Sequence, residues 1–160
     1  MTEKELIEKA RKNAAHRYQE GEFLCSEAIL YTINELLDQP LPKEIVKLAS
    51  GLPVGMGEAG CVCGGLSGGV LALGLKFGRT EPKAKCPKVA LASKELHDWF
   101  KSQRKSTCCR VLIKDYKFGS NAHLQQCTEI TGDVAAKTME LIFKYAKMNR
   151  LKVFFKDKIK

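Results

Sequence analysis

The chain has 160 residues, 44% hydrophobic and 28% charged, a composition that suits one globular domain and excludes a disordered chain. Its most apolar stretch, Val70 to Phe77, falls far short of the roughly 18 residues of a membrane span. The 27 basic and 18 acidic residues leave a net charge of +9. That balance attracts anionic partners, but no nucleic-acid-binding motif accompanies it.

Thr2 to Gly21 reads as the first helix. Thr2 and Glu5 have capping-box spacing, and Leu6, Ile7, Ala10, Ala14 and Tyr18 recur at helical intervals before Gly21 stops the run. The segment is charged and periodic and lacks the apolar core of a secretory signal, so the expected compartment is the cytoplasm. A second helix runs from Cys25 or Ser26 to Leu37, with Ala28, Ile29, Ile33, Leu36 and Leu37 on its apolar face. Pro40 and Pro42 end it and open a short third helix to Ser50, and Gly51 follows at the stop position.

Residues 51–60 form a glycine-rich loop. The next stretch, CVCGGLSGGVLALGLKFG, reads as a helix in which Gly60, Gly64 and Gly68 are four apart, as are Gly65 and Gly69. Each glycine costs a helix about 1 kcal/mol relative to alanine. Such a helix is expected where a neighbouring backbone or a bound group approaches closely, and Gly64, Gly65 and Gly68 are the candidate cofactor-binding positions. The stretch lacks the GK[ST] ending of a phosphate loop, and no strand precedes it. After the linker RTEPKAKCPK, Val89 to about Ser102 reads as a helix with Leu91, Leu96, Trp99 and Phe100 on its apolar side. Cys109 to Ile113 is a short apolar turn. The last helix runs from Asn121 or Cys127 to Met148, with Cys127, Ile130, Val134, Leu141 and Tyr145 near one stripe and Thr138 filling the missing turn. No period-2 alternation supports a sheet. The expected fold is therefore all-α: a compact helical bundle, one domain over residues 1–160, with the glycine-rich helix at its centre and a basic extension from about residue 146.

The seven cysteines are Cys25, Cys61, Cys63, Cys86, Cys108, Cys109 and Cys127. Reducing cytosol disfavours structural disulfides, and the odd count prevents complete internal pairing. Metal ligation, thiol chemistry and plain burial as small hydrophobes remain as readings. Cys25 and Cys63 fall at expected helix N-termini, where free N–H groups and the helix dipole favour the thiolate. No C-x-x-C pair is present, and without C-x-x-C-H there is no covalent c-type haem site. His16, His97 and His123 are scattered and read as ordinary polar residues.

The contexts of four of these cysteines resemble a family of redox-active proteins named for a C…GCAxxG…C…C pattern. The resemblance runs through FLCSEAIL at Cys25, CGGLSGG from Cys63 where the family carries a CGA-x-x-G core, CRVL at Cys109 and CTEITGDVAAK at Cys127. It covers roughly residues 20–145. Gly65 stands where the family has alanine; Cys61, Cys86 and Cys108 are additional, and Cys108 competes with Cys109 for the third position, where the CR dipeptide favours Cys109. The resemblance implies a compact helical protein with a redox role, its site formed by Cys25, Cys63, Cys109 and Cys127 acting as a unit. Two chemistries use such a set: thiol–disulfide exchange with an unidentified redox partner, or metal ligation, as zinc or an iron–sulfur cluster held by the same four sulfurs. In the first, Cys63 is the expected attacking thiol, because the glycines after it leave room for a second sulfur. Cys25 is then the resolving partner and Cys109 the next choice. The third class is a binding module with core cysteines, acting through its basic surface. The tail carries Lys147, Arg150, Lys152, Lys156, Lys158 and Lys160 interleaved with Leu151, Val153, Phe154 and Phe155. Its phenylalanines are expected to pack on the domain or on a second copy in a homodimer.

Overall fold

Thr2 caps the first helix in both directions. Its hydroxyl accepts from the Glu5 N–H at 3.2 Å, and its own N–H donates to the Glu5 carboxylate at 2.7 Å. This capping box satisfies two of the donors that a helix start leaves free and launches α1, Glu3–Gln19. Gly21, at φ +69°, then takes the left-handed turn that ends it. The structure is a computed structural model describing residues 1–38 and 40–148. The tail residues from Arg150 to Lys160 lie outside the described residues.

The second helix, α2, is Cys25–Leu36. The Glu27 carboxylate accepts the Leu24 N–H at 3.0 Å, half of a second capping box. Asn34 holds the proline-rich connection that follows: its amide donates to the Leu41 carbonyl at 2.8 Å and accepts the Leu41 N–H at 2.9 Å. The expected short helix before Ser50 is a 3-10 helix, Lys43–Ala49, followed by the four-residue α3, Pro53–Met56. The glycine-rich helix is α4, Gly64–Phe77, and α5 is Pro87–Arg104, begun by a proline whose missing N–H costs nothing there. α6 is the turn Cys109–Leu112, and α7, Asn121–Ala146, starts on the hydroxyl of Ser120, which accepts the His123 N–H at 3.3 Å.

Among the described residues the fold is all-helical, and its one departure is an isolated antiparallel bridge between Val62 and Cys108. α4 packs on α2, α5 and α7, while α1 lies along α7. The core between them is aliphatic: Ile29, Leu30 and Ile33 from α2, Leu66 and Leu73 from α4, Leu96 and Phe100 from α5, and Ile130, Val134, Met139 and Leu141 from α7. Each such fully buried side chain contributes roughly 1.5–3 kcal/mol. The glycines of α4 set its distances. A Cβ at Gly68 would stand 2.6 Å from the Ser26 carbonyl oxygen and 2.7 Å from its Cα, so α2 can cross here only over bare backbone. A Cβ at Gly69 would meet Leu96, Thr138 and Val134 at 2.8–2.9 Å. A Cβ at Gly64 would stand 2.6 Å from the Cys25 sulfur and 3.0 Å from the Leu52 carbonyl oxygen, whereas one at Gly65 would make ordinary contacts of 3.5–3.7 Å. Among the described residues, no helix is long and apolar enough to cross a membrane.

Candidate functional site: a thiol cluster at the crossing of α2 and α4

Four cysteines reach one region from four places in the chain. Cys25 is the first residue of α2, Cys63 caps α4, Cys109 opens α6 and Cys127 lies two turns into α7. Cys63 and Cys109 are only 7% and 8% exposed. All seven thiols are free. The Cys25 sulfur lies over Gly64, where a Cβ would be 2.6 Å from it, next to Cys63 in the chain. The Cys63 sulfur lies over the following residue, 3.7 Å from where a Cβ at Gly65 would be.

The bridge between residues 62 and 108 sets the alternation around two of these thiols. The Cys63 N–H donates to the Thr107 carbonyl at 2.8 Å, and the Cys109 N–H donates to the Cys61 carbonyl at 2.5 Å. Val62 and Cys108 therefore stand opposite each other, and Cys61 and Cys109 are held side by side by their backbone hydrogen bond. Cys108 turns away from the cluster and donates its thiol to the Gly60 carbonyl at 3.1 Å. Of the two vicinal cysteines, Cys109 is the one that faces Cys63 and Cys127.

Burial dominates the acidity of all four thiols. It pushes Cys25 up to about 12, with the charge on Cys63 adding to it and the N–H groups of Val54 and Ser26 opposing. Burial likewise pushes Cys109 up to about 11, followed by the charges on Cys63, Cys127 and Cys108. Cys127 is raised by burial against a hydrogen bond from the Tyr18 hydroxyl. Cys63 is raised too, although the N–H groups of Leu66 and Gly65 and the Arg104 guanidinium all favour its thiolate. The helix-terminus expectation for Cys25 and Cys63 is thus corrected. The N–H groups do point at both sulfurs, but desolvation outweighs them.

One pattern stands out: Cys25, Cys109 and Cys127 each feel the charge on Cys63. Cys127 is likewise coupled to Cys25 and Cys109, and what sets Cys63 apart is a cation. That cation is held by an ion-pair chain: Arg104 donates to Asp133 at 2.6 Å, and Asp133 also pairs with Arg11 of α1. Arg104 and Asp133 were not visible as site residues in the sequence, and neither has a local signal that would reveal it. Tyr18 read only as part of the first helix's apolar stripe, but its buried hydroxyl serves Cys127. Over the cluster lies a run of left-handed backbone, with φ of +53° at Val54, +72° at Gly55, +61° at Met56, +57° at Gly57 and +69° at Glu58. For the β-branched Val54 this conformation is strained, and its N–H, with that of Ser26, faces Cys25. Among the described residues, no three His, Cys, Asp or Glu side chains are grouped as a metal-ligand set.

The family described as "Putative redox-active protein (C_GCAxxG_C_C)" matches residues 23–141. The chain belongs to this family. All four clustered cysteines lie within the matched span, as do Arg104 and Asp133, whereas Tyr18 lies before it. Neither a curated protein nor a solved structure matches the chain.

Proposed function

We propose that this family member is a thiol–disulfide redox protein that works through Cys63, with Cys25 as its resolving thiol. The observation that carries this reading is the place of Cys63: it stands at the N-cap of α4, next to the Gly64 backbone over which the Cys25 sulfur lies, and of the four thiols it is the one whose thiolate a cation, Arg104, favours. In the step this supports, the Cys63 thiolate attacks one sulfur of a disulfide R–S–S–R′. A Cys63–S–S–R bond forms, and R′–S⁻ leaves and takes a proton. The Cys25 thiolate then attacks the Cys63 sulfur, closing Cys25–Cys63 and releasing R–S⁻. Two electrons pass from the protein's two thiols to the substrate disulfide, and the reverse sequence would reduce the protein. The bare face of Gly64, over which the Cys25 sulfur lies, supports Cys25 as the nearer resolving partner. In the resting state the thiols are held neutral by burial, so attack waits on transient ionisation of Cys63. Seven free thiols suit a reducing compartment, and the cytoplasm is the one we propose.

The test is a disulfide map of the full chain, purified without oxygen and then mildly oxidised. A Cys25–Cys63 bond is expected, and Cys63→Ser should abolish it while leaving the helical circular dichroism intact. Iron or zinc retained in stoichiometric amount by these cysteines, or a folded protein in which no two of the four can be oxidised to a bond, would sink the proposal.

A further inference from the structure

Cys61 is exposed, while the cluster's nearest member across the ladder, Cys109, is buried. The bridge that pairs Val62 with Cys108 brings Cys61 beside Cys109, whose N–H donates to the Cys61 carbonyl at 2.5 Å. Gly55 shows how closely the two residues converge: a Cβ there would strike the Cys61 N–H and stand 2.9 Å from the Cys109 Cβ. Residues opposite one another on an antiparallel ladder have Cα atoms about 4.5–5.5 Å apart. A disulfide needs them within about 7 Å. The backbone separation of these two positions is therefore within the range that a disulfide spans. Cys108 is engaged with the Gly60 carbonyl.

The exposed thiol answers a difficulty in the site itself. Cys63 is 7% exposed, so a bulky disulfide reaches it less readily than a small one. Building on the thiol–disulfide reading above, we infer that Cys61 is an entry thiol that accepts oxidising equivalents from large disulfide substrates and hands them to the buried cluster through Cys109. The Cys61 thiolate attacks a substrate disulfide R–S–S–R′, forming Cys61–S–S–R and releasing R′–S⁻. The Cys109 thiolate then attacks the Cys61 sulfur, closing Cys61–Cys109 and releasing R–S⁻. The bond that Cys63 next attacks is this internal one, at the Cys109 sulfur. Cys63–Cys109 forms, and Cys61 is set free as a thiolate for another cycle. The substrate disulfide gains two electrons and becomes two thiols, and the protein gains one disulfide.

The experiment uses the reduced full chain, with glutathione disulfide as the bulky oxidant and diamide as the small one, followed by mass mapping over time. In the wild type, glutathione should appear first on Cys61 and then leave as the cluster disulfide forms. Cys61→Ser should slow cluster oxidation by glutathione disulfide tenfold or more and leave oxidation by diamide unchanged. Cys109→Ser should trap glutathione on Cys61, and Cys109→Ala repeats the trap should a buried serine hydroxyl unfold the first variant. Cys108→Ser should behave as wild type. A Cys61→Ser chain oxidised by glutathione disulfide at the wild-type rate overturns the relay and leaves the thiol reading standing. So does a rate lost in Cys108→Ser instead, or an untrapped Cys61 in the Cys109 variants. If diamide forms no cluster disulfide in the wild type, the thiol reading itself fails.

Discussion

Two helix contacts in this protein are built on glycine, and they do different things. Along the α1–α7 seam, a Cβ at Gly132 would stand 3.1 Å from the Arg11 carbonyl and 3.2 Å from the Ala15 Cβ. Those distances are tight, but much of the neighbouring material is side chain, and the seam is backed by the buried Ala10 and Ala14. At the α2–α4 crossing, Gly68 meets the Ser26 backbone itself at 2.6–2.7 Å, and Ser26 is locked by a hydrogen bond from its hydroxyl to the Ala49 carbonyl at 2.9 Å. At the seam a shift of a few tenths of an ångström relieves the contacts of 3.1–3.4 Å, whereas the crossing cannot move without carrying Cys25 away from Cys63. One contact supports the fold, and the other also fixes the distance between two thiols.

Substitutions and pH can break that contrast. Gly68→Leu should have the largest effect, because overpacking against backbone costs about 3 kcal/mol or more. For a chain of this size that is a fall in Tm of roughly 6–12 °C, and the oxidised variant should also lose its Cys25–Cys63 bond. A variant that melts like wild type would show that α2 and α4 do not meet as described. Alkaline pH comes next. Cys25 and Cys109 are pushed up to about 12 and about 11, while an unfolded thiol ionises near about 8.5. Between those values the unfolded chain loses protons that the folded chain keeps, so stability falls as pH rises through the window, by up to about 1.4 kcal/mol per thiol per pH unit. Denaturant titrations of reduced protein should show this slope, and Cys25→Ser combined with Cys109→Ser should lessen it. Gly132→Ala should cost about 1 kcal/mol, the crowding being partly offset by helix propensity, with thiol reactivity unchanged in alkylation assays. Gly65→Ala should have the smallest effect and the opposite sign. A Cβ there meets Ile130, the Cys63 sulfur and Ile29 at ordinary contact distances of 3.5–3.7 Å, so thermal melting should show a gain of up to about 1 kcal/mol.

Much of the fold was legible because helices announce themselves locally. The Thr2–Glu5 capping box, the stop at Gly21, and the stripe from Ile130 through Thr138 to Tyr145 all appear where their spacing places them. The close approach at Gly68 was also readable, since a helix tolerates that many glycines only for a packing reason. The Val62–Cys108 bridge was not, because one bridged pair is too short to leave an alternating pattern. Nor was the left-handed run at 54–58, in which valine, methionine and glutamate adopt a conformation that their residue types argue against. The resemblance picked out Cys25, Cys63, Cys109 and Cys127, but not their acidity. Helix-end N–H groups are written into the sequence, whereas desolvation depends on how deeply the assembled helices bury each sulfur. Arg104 and Asp133 escaped for the same reason, since their proximity to the cluster is created by the packing of α5, α7 and α1.

The clearance over Gly65 has a consequence on a longer timescale. Glycine and alanine codons differ by a single base, and at this position both residues fit between Ile29, Ile130 and the Cys63 sulfur. A lineage can therefore drift between the two spellings of the motif in either direction without passing through a misfolded intermediate. Gly64 and Gly68, one residue before it and three after, have no such neutral path. Every side chain there meets the Cys25 sulfur or the Ser26 backbone, so purifying selection should act on this helix position by position.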